Sequence, residues 1–175
     1  ELVEALHAIN PSANSAYYLG ILKDKAGESK AALAYYEESL ILEQDQYRKA
    51  DILYKIAVKF KKRNLKSKSR SYARKALKNR PSMGKAYMLI ASLYAASAND
   101  CGNTQFEKRA VYWLAAKTAR KAATVDSGVK KTALKLAASY EGRAPSKTDI
   151  FTEGRAGETI SFSCWINSSV TVPQL

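Results

Sequence analysis

Residues 49–81 read KADILYKIAVKFKKRNLKSKSRSYARKALKNRP. Ile56, Ala57 and Phe60 precede Asn64, and Ser69, Ala73 and Ala76 follow it, at three- and four-residue steps that keep one face of each arm apolar or small. That period predicts two amphipathic helices. Asn64 can take the left-handed turn between them, and Pro81 closes the second arm. Residues 15–44, SAYYLGILKDKAGESKAALAYYEESLILEQ, repeat the order with Leu19, Gly20, Gly27, Ala32, Tyr36 and Ser39. A third unit opens with Tyr87, Ile90, Ala91 and Tyr94. Gly20 to Ala57 is 37 residues and Ala57 to Ala91 is 34, a spacing expected of two-helix repeats. The small residue at each of these positions would let the paired backbones approach closely.

The rest of the composition narrows the chemistry. The chain has 175 residues, one histidine (His7) and two cysteines (Cys101 and Cys164). A four-ligand zinc site needs more Cys and His than are present. A nucleophile would have only His7 as its imidazole base, and Glu141 and Asp149 have no companion spaced for acid–base work. Neither phosphate-cradling glycine motif occurs. The expectation is a protein that is not an enzyme, uses no cofactor and binds no metal. His7 reads as a helix-surface residue, and Gly154-Arg155-Ala156-Gly157 as a plain turn. The weakly polar run 87–98 is too short to cross a bilayer.

The 34-residue period and the order of small residues resemble the tetratricopeptide repeat family, with Pro81 where that family closes a repeat and Gln44 as a departure. The resemblance implies an all-α, right-handed helix-pair solenoid over residues 1–126. A partial repeat over 1–11 would come first, ELVEALHAINP reading as the second helix of a preceding unit, so that the sequence is expected to start in mid-repeat. Helix pairs then fall near 14–42, 47–79 and 84–125. The third is interrupted by an inserted loop near 97–105, SANDCGNTQF, and resumes at about Glu107. Val129, Ala133, Leu136, Ala137 and Tyr140 give a capping helix over 127–142, which an open stack requires.

From 143 to 175 the composition turns to Gly, Ser and Thr. The alternation over 159–166 reads as a short strand or extended arm, with 170–172 as a partner, and the arm as a whole as non-helical. Tyr94, Cys101, Tyr112-Trp113, Phe151, Gly157 and Cys164-Trp165-Ile166 together resemble the C-terminal part of exported Bacteroidetes tetratricopeptide proteins. That likeness implies a periplasmic or otherwise exported protein and supplies no activity. Cys101 and Cys164, both in irregular segments, form a disulfide in one reading and separate packed thiols in the other.

Charge is concentrated. The net charge is +13, and thirteen cations lie between Asp51 and Asp100 with no acid among them. Lys55, Lys59, Arg70, Arg74 and Lys78 are expected on a basic outer face. In the bland reading that face is merely solvated and partly neutralised by Glu37, Glu38, Glu43 and Asp45. In the sharper one it meets an acidic protein, nucleic acid or anionic lipid. Tyr54, Phe60 and Tyr72 interleave with the cations and read as core. The family often binds peptides in the groove lined by first helices, which maps here to Tyr17, Ile21, Asp24, Tyr54, Val58, Lys61, Lys62, Met88, Ser92 and Ala95. Tyr17 and Ile21 stand where the family's carboxylate clamp would begin, which disfavours chaperone tails. The leading expectation is a protein–protein interaction scaffold of the bacterial envelope, binding a peptide or protein segment. The alternative is a polyanion or nucleic-acid binder acting through the basic second repeat.

Overall fold

A computed structural model describes residues 2–175. It is mostly helical, at 71%, with nine α-helices among the described residues and one small antiparallel sheet. The chain divides into two compact units, Glu1–Pro81 and Ser82–Leu175.

The first unit contains α1 (Leu2–Ile9), α2 (Ala13–Lys25), α3 (Ser29–Leu42), α4 (Gln46–Lys62) and α5 (Lys66–Asn79). Ser12 opens α2 with a reciprocal capping box to Ser15, and the Asp45 carboxylate accepts from the Arg48 amide to start α4. The α2–α3 turn passes through Gly27 at φ 80°, and the α4–α5 turn through Asn64 at φ 57°. Both positions need the left-handed conformation that Gly and Asn adopt at low cost.

Within each pair, small residues set how closely the helices approach. An added Cβ on Gly20 would lie 2.6 Å from two ring atoms of Tyr36. Ala57 is fully buried, and its carbonyl accepts a 2.7 Å hydrogen bond from the equally buried Ser69 hydroxyl. Ser39 does the same between α3 and α2, donating to the Ala13 carbonyl at 2.7 Å. Ala32, Tyr36, Ile52, Ile56 and Phe60 form the core that joins the pairs, with Tyr17, Ile21 and Tyr72 packed against it. Phe60 and Tyr72, read from the sequence as core, stack at 5.2 Å.

The second unit contains α6 (Gly84–Ala95), α7 (Gln105–Val125), α8 (Lys130–Glu141), α9 (Lys147–Glu153), β1 (Thr159–Phe162) and β2 (Ser168–Thr171). Ala91 is fully buried in α6, as are Ala110, Ala115, Ala119 and Ala122 of α7 and Ala133 and Ala137 of α8. This alanine-based core leaves little volume between helices, so they pack at short range. Gly84 has no side chain to keep it from the α7–α8 turn, and its amide donates to Asp126 at 3.0 Å. Between α6 and α7 the loop makes a single 3₁₀ turn, Ala98–Asp100.

The segment after residue 143 differs from its expected extended form. Ser146 forms a capping box with Asp149 and starts the short helix α9, which Gly154 ends in the left-handed conformation. A hydrophobic alternation search misses this helix because it is seven residues long and buries only Ile150. Beyond it, β1 and β2 pair antiparallel in the register Thr159–Thr171 and Ile160–Val170. Ile160 and Phe162 point inward from β1, and both are buried.

Candidate functional site

In the first unit, Tyr17, Ile21 and Asp24 lie on α2, and Tyr54, Val58, Lys61 and Lys62 on α4. Tyr54 and Val58 are half-buried, and Lys61 and Lys62 exposed, on the face of α4 opposite Leu53, Ile56 and Phe60. Several side-chain contacts tie α2 to α4, among them the Arg48 guanidinium donating to the Asn14 side-chain carbonyl. The Lys55 ammonium sits 4.6 Å above the Tyr17 ring, and Lys59 forms an ion pair with Asp24. First helices of successive pairs are thus neighbours, and their half-buried Tyr17, Ile21, Tyr54 and Val58 supply apolar area beside cationic side chains. Burial raises the Tyr54 phenol above its ordinary value.

Between α2, α3 and α4 lies a recess with a cavity volume of about 20 Å³, lined by Asp24, Tyr36, Lys59, Phe60 and Arg63 among others. Small-molecule sites run to roughly 300–1,000 Å³, so this recess is far too small for a metabolite. Of the groove residues expected from sequence, only Asp24 lines it.

The basic residues separate into two sets. Lys55 and Lys59 turn toward α2 and are engaged there. Lys59, Lys61 and Lys62 also occupy the last turn of α4, where positive charge complements the helix dipole. Arg74 and Lys78 lie on the exposed side of α5, and Arg70 is half-buried at its flank. Lys55 and Lys59 thus stand on α4, and Arg70, Arg74 and Lys78 on α5.

The four acids expected to neutralise the basic outer face have partners of their own. Glu37 accepts the Tyr72 hydroxyl at 2.9 Å. Glu38 faces His7 Nε2 at 3.1 Å. Glu43 pairs with Arg48 and accepts from the Gln44 and Asp45 amides. Asp45 caps α4. Glu43 and Asp45 serve the local turn and the start of α4, whereas Glu37 and Glu38 hold side chains distant in sequence.

His7 is not the surface residue its sequence position implies. It is 9% exposed, with Nδ1 2.7 Å from the Ser15 hydroxyl and its ring edge-on to Tyr35. It links α1 to α2 and α3, while Leu2, Leu6 and Ile9 of the same helix are exposed. Amphipathic reading fails there because the polar residue faces inward and the apolar ones outward.

The second unit holds the remaining groove residues. Met88 packs against the Ala122, Ala123 and Ala133 cluster, and the Ser92 hydroxyl donates to the Leu89 carbonyl at 2.7 Å. Both have structural partners within their own unit. Ala95 ends α6 half-buried.

The C-terminal segment is fastened to α7 and to the loop before it by a disulfide and several polar links. Cys101 and Cys164 are joined as a disulfide with Cα atoms 5.6 Å apart. The Trp165 indole donates to the Ser97 hydroxyl at 3.0 Å. Arg109 donates to the carbonyls of Arg143 and Ala144 and to Asp149. The Arg155 guanidinium reaches Glu107 at 3.2 Å and Glu158 at 2.8 Å. The Asn103 backbone amide, with Arg155 beside it, holds the Glu107 carboxyl below its ordinary value. Arg155 belongs to the glycine-flanked stretch read from sequence as a plain turn, and its anchoring role has no local signal. Among the described residues, no group of three His, Cys, Asp or Glu is placed to hold a metal ion, and no helix is long and apolar enough to cross a membrane.

No family model matches the chain, and no curated protein matches it.

Proposed function

We propose that this protein is a non-enzymatic protein–protein interaction scaffold of the bacterial cell envelope, built as a right-handed stack of tetratricopeptide-type helix pairs. A peptide or protein segment binds along the exposed faces of the first helices. The observation that carries the reading is the side-by-side placement of α2 and α4 through Lys55–Tyr17 and Lys59–Asp24. It leaves Ile21, Tyr54 and Val58 half-buried next to the exposed Lys61 and Lys62. Half-buried apolar side chains can complete their burial against a ligand at about 25 cal/mol per Å², and the lysines favour an acidic segment. Export is supported by the Cys101–Cys164 disulfide, since such bonds persist in oxidising compartments.

The test compares envelope proteins retained by the native chain with those retained by Val58→Glu and by Ala34→Glu, the latter on the exposed side of α3. The reading predicts that a discrete set of proteins is lost with Val58→Glu and kept with Ala34→Glu. Equal retention by both variants would contradict it.

A further inference from the structure

We propose that the outward face of α5 docks on a membrane surface of anionic phospholipids. Ser67, Ser71, Arg74 and Lys78 follow one another at four-, three- and four-residue steps along the exposed side of the helix, with Arg70 and Lys75 beside them. The opposite side carries Ser69, Ala73 and Ala76, all fully buried. The six outward residues line an open depression of about 860 Å³, solvent included. Two hydroxyl, two guanidinium and two ammonium side chains make up its lining. No apolar or acidic side chain contributes.

That lining is suited to the oxygens of phosphate esters, which accept hydrogen bonds from hydroxyl and guanidinium groups alike. It offers nothing to an apolar peptide. Glu38, Glu43, Glu37 and Asp45 are held by His7, Arg48, Tyr72 and the start of α4. Arg74 and Lys78 form no ion pair among the described residues, so their charge is available to an external anion.

The choice of membrane over nucleic acid has two grounds. The stripe exposes no aromatic ring for base stacking, and no Asn or Gln to read base edges. The disulfide places the chain in an oxidising compartment, where the phosphate surface it meets is a membrane face; this second ground rests on the exported reading above. The face has no apolar residue to insert, so attachment is peripheral and reversible by salt. Each cation near such a surface changes partitioning about fivefold at low ionic strength. Removing three therefore weakens it on the order of a hundredfold.

The experiment is co-sedimentation of the full chain with vesicles of equal parts phosphatidylglycerol and phosphatidylcholine, against pure phosphatidylcholine vesicles. At low salt the chain is expected to sediment with the first and not the second, and to be released at high salt. The triple variant Arg74→Gln, Lys75→Gln and Lys78→Gln should lose about a hundredfold in partitioning while keeping its far-ultraviolet dichroism. A control, Lys117→Gln, Lys121→Gln and Lys131→Gln, removes the same charge from exposed positions of the second unit. It should retain most of the binding. No sedimentation with the anionic vesicles would overturn the proposal, as would equal losses in the two triple variants. A short DNA duplex that strips the chain from the vesicles and holds it more tightly would instead make nucleic acid the ligand. None of these outcomes depends on whether Val58 contacts a protein partner.

Discussion

Gly20→Ala tests how closely α2 and α3 approach. In an ordinary helix interior the change is favourable by about 0.5–1 kcal/mol, because alanine has less backbone freedom to lose. Here the new Cβ would fall 2.6 Å from Cδ1 and Cε1 and 3.1 Å from Cγ of Tyr36. Tyr36 is 5% exposed and sits in the core with Ala32, Ile52, Ile56 and Phe60, so its ring has little room to retreat. Overpacking of this kind costs about 1–3 kcal/mol. The net expectation is a loss of about 0.5–2 kcal/mol, which speeds amide exchange in α2 and α3 roughly two- to thirtyfold when read by hydrogen-exchange mass spectrometry. Tyr36→Leu in the same chain removes the ring that clashes. In that background Gly20→Ala should turn neutral or stabilising, a coupling whose sign a distant effect would not reproduce. Gly27→Ala is the control, since its Cβ would meet nothing within 4 Å and pay only for the left-handed backbone. A Gly20→Ala protein that exchanges more slowly than the parent, with Tyr36 present, would refute the close approach.

Replacing both Cys101 and Cys164 with serine opens a closure of 63 residues. In the chain-entropy model this costs about 4 kcal/mol at most; melting of the oxidised parent at the same temperature as the variant would contradict it. Tyr36 and Tyr72 are both pushed from 10.0 up to about 12, Tyr36 by burial and then by Asp24, Tyr72 by burial and then by Glu37. A raised phenol keeps its proton in the folded state after the unfolded chain has lost it, so its stabilisation is complete below pH 10 and lost as pH rises toward about 12. Ultraviolet titration should show phenolates appearing late and together with unfolding, and early titration of these two rings would count against their burial. His7→Ala removes the imidazole partner of the Ser15 hydroxyl and Glu38, at a cost of about 0.5–1.5 kcal/mol, measurable as faster exchange in α1 and the start of α2.

Much of the helical layout is legible because it depends on local spacing. Ala57, Ala73, Ala76 and Ala91 recur at helical intervals, and Gly27 and Asn64 stand where the chain reverses. The 159–162 alternation marks β1 for the same reason. What escapes is set by pairs distant in sequence. His7 reads as surface until Ser15 and Glu38 are brought to it. Lys59 reads as one more outward cation until α2 presents Asp24. The α9 helix rests on one capping box and one buried isoleucine, too short a signal for periodicity. For the candidate site, the resemblance to the repeat family is what points to side chains of each first helix. It does not tell that Tyr17 and Asp24 already have cationic partners on α4, or that Met88 has been drawn into an alanine core.

The proposal that the first helices form a binding face is tested most directly by site-specific photo-crosslinking in the native cell. A photoreactive amino acid is placed at Val58, and in a parallel strain at Ala34, the exposed position on α3. The account predicts a discrete protein adduct from position 58 that is missing from position 34, and that disappears when Lys61 and Lys62 are reversed to glutamate. No adduct from position 58, or the same adducts from both positions, would contradict it.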